Sequence, residues 1–83
     1  MKYIVLTDNN NFSEIMITFP SFIQHVKMFG IIKNENTYAV IVSAGSIRFT
    51  ENERLECYGE SHSLKVKSRE KVDTELLLFN LGK

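Results

Sequence analysis

Residues Tyr38-Ala39-Val40-Ile41-Val42 constrain this chain most. Tyr38, Val40 and Val42 fall on one side of an extended segment, Ala39 and Ile41 on the other, and both sides are apolar. A strand with two apolar sides belongs in the middle of a sheet, where each side is covered. The segment Thr37 to Ser43 is therefore read as a central strand, and the rest of the chain must supply its neighbours and its cover.

Neighbours are legible on either side. Lys2 to Thr7 and Glu14 to Phe19 read as strands around the Asx-rich turn Asp8-Asn9-Asn10-Asn11, a hairpin opening. After the central strand, Ala44-Gly45-Ser46 marks a bulge or a close backbone approach. Ser46 to Thr50 resumes the strand, and Arg54 to Tyr58 pairs back with Leu55 and Cys57 matching Ile47 and Phe49. After the break at Gly59, Ser63 to Ser68 alternates, with Leu64 and Val66 inward and Lys65 and Lys67 outward.

Two helices are expected as cover. The first opens at Pro20-Ser21, with Ser21 and Gln24 at capping-box spacing or Pro20 at the first helical position, carries Phe22, Val26 and Phe29 as its stripe, and closes at Gly30. Lys33 to Asn36 then reads as a polar connection. The second opens with Ser68 as N-cap, carries Val72, Leu76 and Phe79, and closes at Gly82. Leu77, Leu78 and Leu81 make it apolar around more than half its girth, which suits packing on the sheet and some contact with a second copy. The order β-β-α-β-β-β-α specifies one α+β domain over residues 1–83, an antiparallel sheet of about five strands with two helices.

Composition narrows the class. An 83-residue chain buries a modest share of its surface, and a single cysteine, Cys57, leaves no disulfide to compensate. Oligomerisation is the expected remedy. Ten basic and ten acidic residues balance to zero, which argues against general nucleic-acid binding. The opening apolar run, Ile4 to Leu6, is short for a signal peptide, and no stretch approaches a membrane span, so a cytoplasmic protein is expected.

No hydrolase elbow, phosphate loop, dinucleotide fingerprint or metalloprotease helix occurs. Cys57 lies at an inward strand position without a histidine nearby in sequence, so it reads as a core thiol rather than a nucleophile. His25, off the first helix's stripe, reads as solvated; a joint metal site of His25, His62 and Glu60 is the weaker alternative. No enzyme activity, cofactor or metal is expected.

The polar residues concentrate in Tyr58-Gly59-Glu60-Ser61-His62-Ser63 and Ser68-Arg69. A phosphorylated ligand is the chemistry such residues suit. Ser68 and Arg69 at a helix N-terminus attract anions, Arg69 offers a two-pronged phosphate contact, Tyr58 or His62 a stacking platform, and Arg48 a second cation. The candidate ligand-binding set is Arg48, Tyr58, Ser61, His62, Ser63, Ser68 and Arg69. The competing assignment gives the serines to turns and caps and the arginines to solvent. Lys65, Lys67, Arg69 and Lys71 form a basic edge better suited to preventing strand aggregation than to binding nucleic acid.

The pieces Ile41-Val42-Ser43-Ala44-Gly45 and Cys57-Tyr58-Gly59-Glu60-Ser61, followed by Ser63-Leu64, Ser68-Arg69 and Asp73, resemble a family of short phage and prophage accessory proteins of uncharacterised role. The resemblance spans residues 41 to 73 and carries no established catalytic residues. It implies a bacterial cytoplasm and the inhibition of a host system, including anti-defence activity. The function expected first is a non-enzymatic inhibitor that sequesters a small phosphorylated ligand, such as a nucleotide immune signal; the alternative is one that occludes a host protein directly. The apolar excess of the last helix and an available edge strand support the second route.

Overall fold

The computed structural model describes residues 1–8 and 13–82; the Asn9 to Asn11 part of the expected turn lies outside them. The chain is α+β. Strands β1 (Lys2–Asp8), β2 (Glu14–Phe19), β3 (Ala39–Phe49) and β4 (Leu55–Tyr58) form an antiparallel sheet in the order β2-β1-β3-β4. Helix α1 (His25–Glu35) connects β2 to β3. A separate two-stranded hairpin, β5 (Glu60–Ser61) and β6 (Val66–Lys67), precedes helix α2 (Glu70–Leu81).

β1 and β3 are the two inner strands. Along β1 the side chains alternate between two cores. Ile4 and Leu6 join Phe19, Ala39 and Ala44 beneath Met28, Phe29 and Ile32 of α1 and Leu64 and Val66 of the hairpin. Tyr3 and Val5 join Cys57 and Leu77, with Leu76, Met16, Val42 and Ile47 around them. Because successive strand residues point to opposite faces, α1 and the hairpin cover one face and α2 covers the other.

β3 is one strand, not two: it runs through Gly45 without a break. The bulge lies earlier. Val5 pairs with Ser43 and Leu6 with Ile41, so Val42 is the extra residue. Gly45 instead serves a close approach. A β-carbon there would stand 2.5 Å from the Tyr58 carbonyl oxygen, 3.1 Å from Ser68 Cβ and 3.2 Å from the Tyr3 ring. The chain crosses from the hairpin's face to the α2 face directly over this bare backbone. Gly59, at φ +80°, turns it out of β4 to begin the crossing.

Both helices depart from their expected ends. Pro20 to Ile23 forms a turn closed by the Ile23 amide on the Pro20 carbonyl, and Phe22 stands 86% exposed. α1 starts at His25 with Gln24 as N-cap, passes through Gly30 and ends at Asn36, whose amide donates to Ile32. Its inward stripe is His25, Met28, Phe29 and Ile32 (i, i+3, i+4, i+7), not Phe22/Val26/Phe29. Ser68 does not cap α2; Arg69 holds the N-cap position and the Ser68 hydroxyl turns to Tyr3. The expected strand Ser63 to Ser68 shortens to Val66–Lys67, because residues 62–65 make the hairpin turn with Lys65 at φ 58°.

Two glycines therefore respond in opposite senses. Gly45→Ala drives a β-carbon into backbone and is expected to cost about 2–3 kcal/mol. Gly30→Ala meets open space inside a helix and is expected to add about 0.5–1 kcal/mol. Thermal or urea denaturation of the two variants measures both signs.

Candidate functional site

Five of the seven candidate residues gather on the face that α1 and the hairpin share. Register explains the grouping. Lys2 pairs with Ser46 and Ser46 with Tyr58, a row across β1, β3 and β4. One step along, Arg48 pairs with Glu56, donating from Nε to Glu56 Oε1 at 2.7 Å, and its guanidinium lies 4.2 Å from the Tyr58 ring centre. An open cleft of about 260 Å³ adjoins this row, lined by Lys2, Gln24, His25, Ser46, Glu60, His62 and Ser63.

The hairpin serines build the cleft's floor rather than waiting for a ligand. Buried Ser61 accepts the Leu64 amide at 3.2 Å and stands 3.4 Å from Ser63 Oγ. Ser63 Oγ accepts the Val26 amide at 3.2 Å, so a hairpin residue satisfies one of the free donors at the α1 N-terminus. His62 projects into solvent with its Nε2 3.8 Å from Glu60.

His25 is buried, not solvated. Its Nε2 donates to the Gly45 carbonyl at 2.8 Å and its ring stands edge-on to Phe19. That bond sets the tautomer, because a carbonyl only accepts. Burial pushes its pKa below the ordinary histidine value, and Lys2 adds to the shift. Lys2 itself donates to the Ile23 carbonyl at 3.0 Å, tying β1 to the turn before α1. Glu60, His62 and His25 line one cleft, but among the described residues no three His, Cys, Asp or Glu side chains could hold a metal ion.

Ser68 and Arg69 lie elsewhere, on the α2 face, and are occupied. Asp73, fully buried one turn into α2, is the centre of their network. Tyr3 OH donates to Asp73 Oδ2 at 2.7 Å, and the Ser68 hydroxyl, left to donate, bonds the Tyr3 oxygen. The Arg69 amide donates to Asp73 Oδ2 and its Nε to Oδ1, both at 3.0 Å. The same guanidinium forks onto Glu14 of β2 through Nη1 and Nη2 at 3.0 and 2.8 Å. Arg69 thus grips two carboxylates with both edges of its fork, where a phosphate contact was expected. The bonds from Arg69 hold the Glu14 carboxyl below its ordinary range, and those to Glu14 raise Arg69 further.

Cys57 is buried as expected for a core thiol. Burial pushes it up to about 11, away from the range of a nucleophilic thiolate. Its amide donates to Thr74 Oγ1 at 2.8 Å. Sequence reasoning missed Tyr3, Glu14, Asp73, Lys2, Ser46 and Gln24. Only the i,i+4 spacing of Arg69 and Asp73 was readable in advance; the other partners are 21 to 70 residues apart.

A further concave feature is apolar and lies on the α2 face. Met1, Thr18, Ile47, Phe49, Leu55, Leu77, Leu81 and the stem of Arg48 line a groove of about 450 Å³. Phe49 at its rim is 72% exposed and Leu81 62%. Farther along α2, Val72, Leu78 and Phe79 are also exposed. No helix among the described residues is long and apolar enough to cross a membrane. Comparison with protein families, with curated proteins and with solved structures found no match.

Arg69→Ala is expected to remove about 3 kcal/mol of stability, since it strands the buried Asp73 carboxylate; chemical denaturation measures it. Acid should weaken the fold in two steps. His25 takes a proton more readily unfolded than folded, so stability falls as pH drops below about 6.5. Glu14 loses its bonds to Arg69 on protonation, so a second loss follows below its ordinary range near 4.5. Melting temperature against pH should lose the first limb in His25→Gln and the second in Glu14→Gln.

Proposed function

We propose that this chain is a non-enzymatic inhibitor of the phage accessory type, which works in a bacterial cytoplasm by docking on a host protein. The observation that carries the reading is the apolar groove with Phe49 at its rim. An exposed Phe of this kind, beside a pocket rimmed by further apolar side chains, is the usual form of a protein-binding anchor. The groove lies between the last turns of α2 and the sheet, a shape that takes an apolar helix or strand of a partner. The motif pieces that carry the phage resemblance lend the context, and their polar residues already have structural work. Ser61 and Ser63 satisfy hairpin and helix amides. Ser68, Arg69 and Asp73 join α2 to the sheet.

The second reading is sequestration of a small phosphorylated ligand. Its support is the polar cleft, where His62 and Ser63 meet Lys2 beside the stacked Arg48 and Tyr58. Arg69 is spoken for, so Lys2 and Arg48 are the cations this reading has left. In either reading the chain acts as a homo-oligomer, which gives so small a domain additional buried surface.

Phe49→Asp separates the two. Phe49 is largely exposed, so the variant should melt within about 0.5 kcal/mol of wild type. Native mass spectrometry of tagged protein from phage-infected cells should show a stoichiometric complex for wild type and none for Phe49→Asp. A complex unaffected by the change removes the groove. A nucleotide-sized adduct lost in His62→Ala favours the cleft instead.

A further inference from the structure

The two edges of the sheet differ. At β4 the outward amide of Cys57 is taken by Thr74 of α2, and the strand is only four residues long. That edge is closed by the chain's own helix. β2, at the other edge, runs six residues, Glu14–Phe19, and among the described residues pairs on one side only, with β1. Natural edges are normally guarded by an exposed charge or a proline within the strand. β2 has no proline or lysine, and its single charge, Glu14, is drawn back onto the fork of Arg69. A second copy therefore meets a carboxylate already paired within its own chain, and the zero net charge of the whole chain adds no long-range repulsion.

We infer that β2 is the self-association edge of this protein, pairing antiparallel with β2 of a second copy to make a continuous eight-stranded sheet. This names the surface for the oligomer in the proposed function and is independent of the groove.

The strand's own pattern selects the register. In a two-fold antiparallel pairing, residues directly opposite must lie on the same sheet face, so the axis passes through a residue and not between two. An axis at Met16 sets Ile15 opposite the second copy's Ile17 twice over, Met16 opposite Met16, and Glu14 opposite Thr18. Ile15 and Ile17 lie on the face of the core beneath α1, where Ile17 already packs, and Ile15 stands 49% exposed. The pairing thus extends one apolar layer across the junction. An axis at Ile17 would bring in Pro20, which has no amide hydrogen to give. Of the two, the Met16 register keeps Glu14 in the ladder and sets Ile15 against Ile17 on both sides of the axis.

Sedimentation velocity tests the association. Wild type should be a dimer. Ile15→Lys, a guard residue at an already half-exposed position, should raise the dimer dissociation constant about tenfold while circular dichroism and melting stay near wild type. Phe49→Asp should leave the dimer intact. Mild oxidation tests the register without relying on that variant. Met16→Cys should form a disulfide-linked dimer, because opposed strand residues lie within disulfide reach, whereas Thr18→Cys should not. Cys57, buried, contributes no background. A monomeric wild type overturns the inference. So does a dimer that persists in Ile15→Lys and dissociates in Phe49→Asp, which would put the second copy in the groove. Equal cross-linking of Met16→Cys and Thr18→Cys overturns the register.

Discussion

A carboxylate with no exposure to water organises half of this molecule. Asp73 sits inside the α2 face of the sheet, and a charge there is tolerated only when its lone pairs are filled. Tyr3 of β1 and the amide and guanidinium of Arg69 fill them. Glu14 of β2 then holds the outer edge of the same guanidinium, and Ser68 holds the Tyr3 hydroxyl. One network thus ties the edge strand, a central strand, the crossing segment and the start of α2. Burial also drives the Tyr3 hydroxyl well above its ordinary range, so it stays a donor. Apolar packing alone, with Leu77 the one buried leucine of α2, would orient that helix loosely. The directed bonds at its N-terminus set its position.

The opposite face is organised by a lighter version of the same device. His25 reaches the Gly45 carbonyl and Ser63 reaches the α1 amide, so the hairpin, α1 and β3 are joined by single hydrogen bonds between elements far apart in sequence. Both devices meet at Gly45, whose carbonyl serves one face while its missing side chain admits Ser68 and Tyr3 on the other. Much of the motif from Ser43 to Asp73 is in this sense a structural joint. Ser61, Ser63, Ser68, Arg69 and Asp73 point at backbone and at each other, whereas the buried Ser43 hydroxyl has no partner among the described residues; the apolar groove and the open strand edge stand apart from this joint.

That division bears on what the protein does. A small domain with an anion site would spend its arginines on the ligand, whereas here Arg69 spans two carboxylates and Arg48 lies between Glu56 and Tyr58. Of the exposed apolar side chains, Met1, Phe49 and Leu81 meet where α2 ends. The proposed docking role uses the groove, and the inferred self-association uses the edge.

Alternation and turn chemistry placed the strands of the four-stranded sheet but not the short hairpin β5–β6. β1 and β2 were legible to within a residue, Leu55 and Cys57 were matched in character to Ile47 and Phe49, and Leu64 and Val66 were read as inward, because a period of two declares itself over a few residues. Helix ends were less legible. Ser21 and Ser68 carry genuine cap chemistry but are overruled by distant partners, since Ser63 reaches the α1 N-terminus from the hairpin and Tyr3 claims Ser68; Gly30 is simply passed through, and Asn36 closes the helix. The burial of His25 and the occupation of Arg69 were beyond local reading for the same reason. Their partners, Gly45 and Glu14, come within reach only through the sheet and the crossing at Gly45. Local sequence determined which segments are strands and that two helices cover them. Tertiary structure alone decided which polar side chains remain free, because a hydrogen bond is settled by proximity in space, and proximity across 20 to 70 residues is a property of the fold.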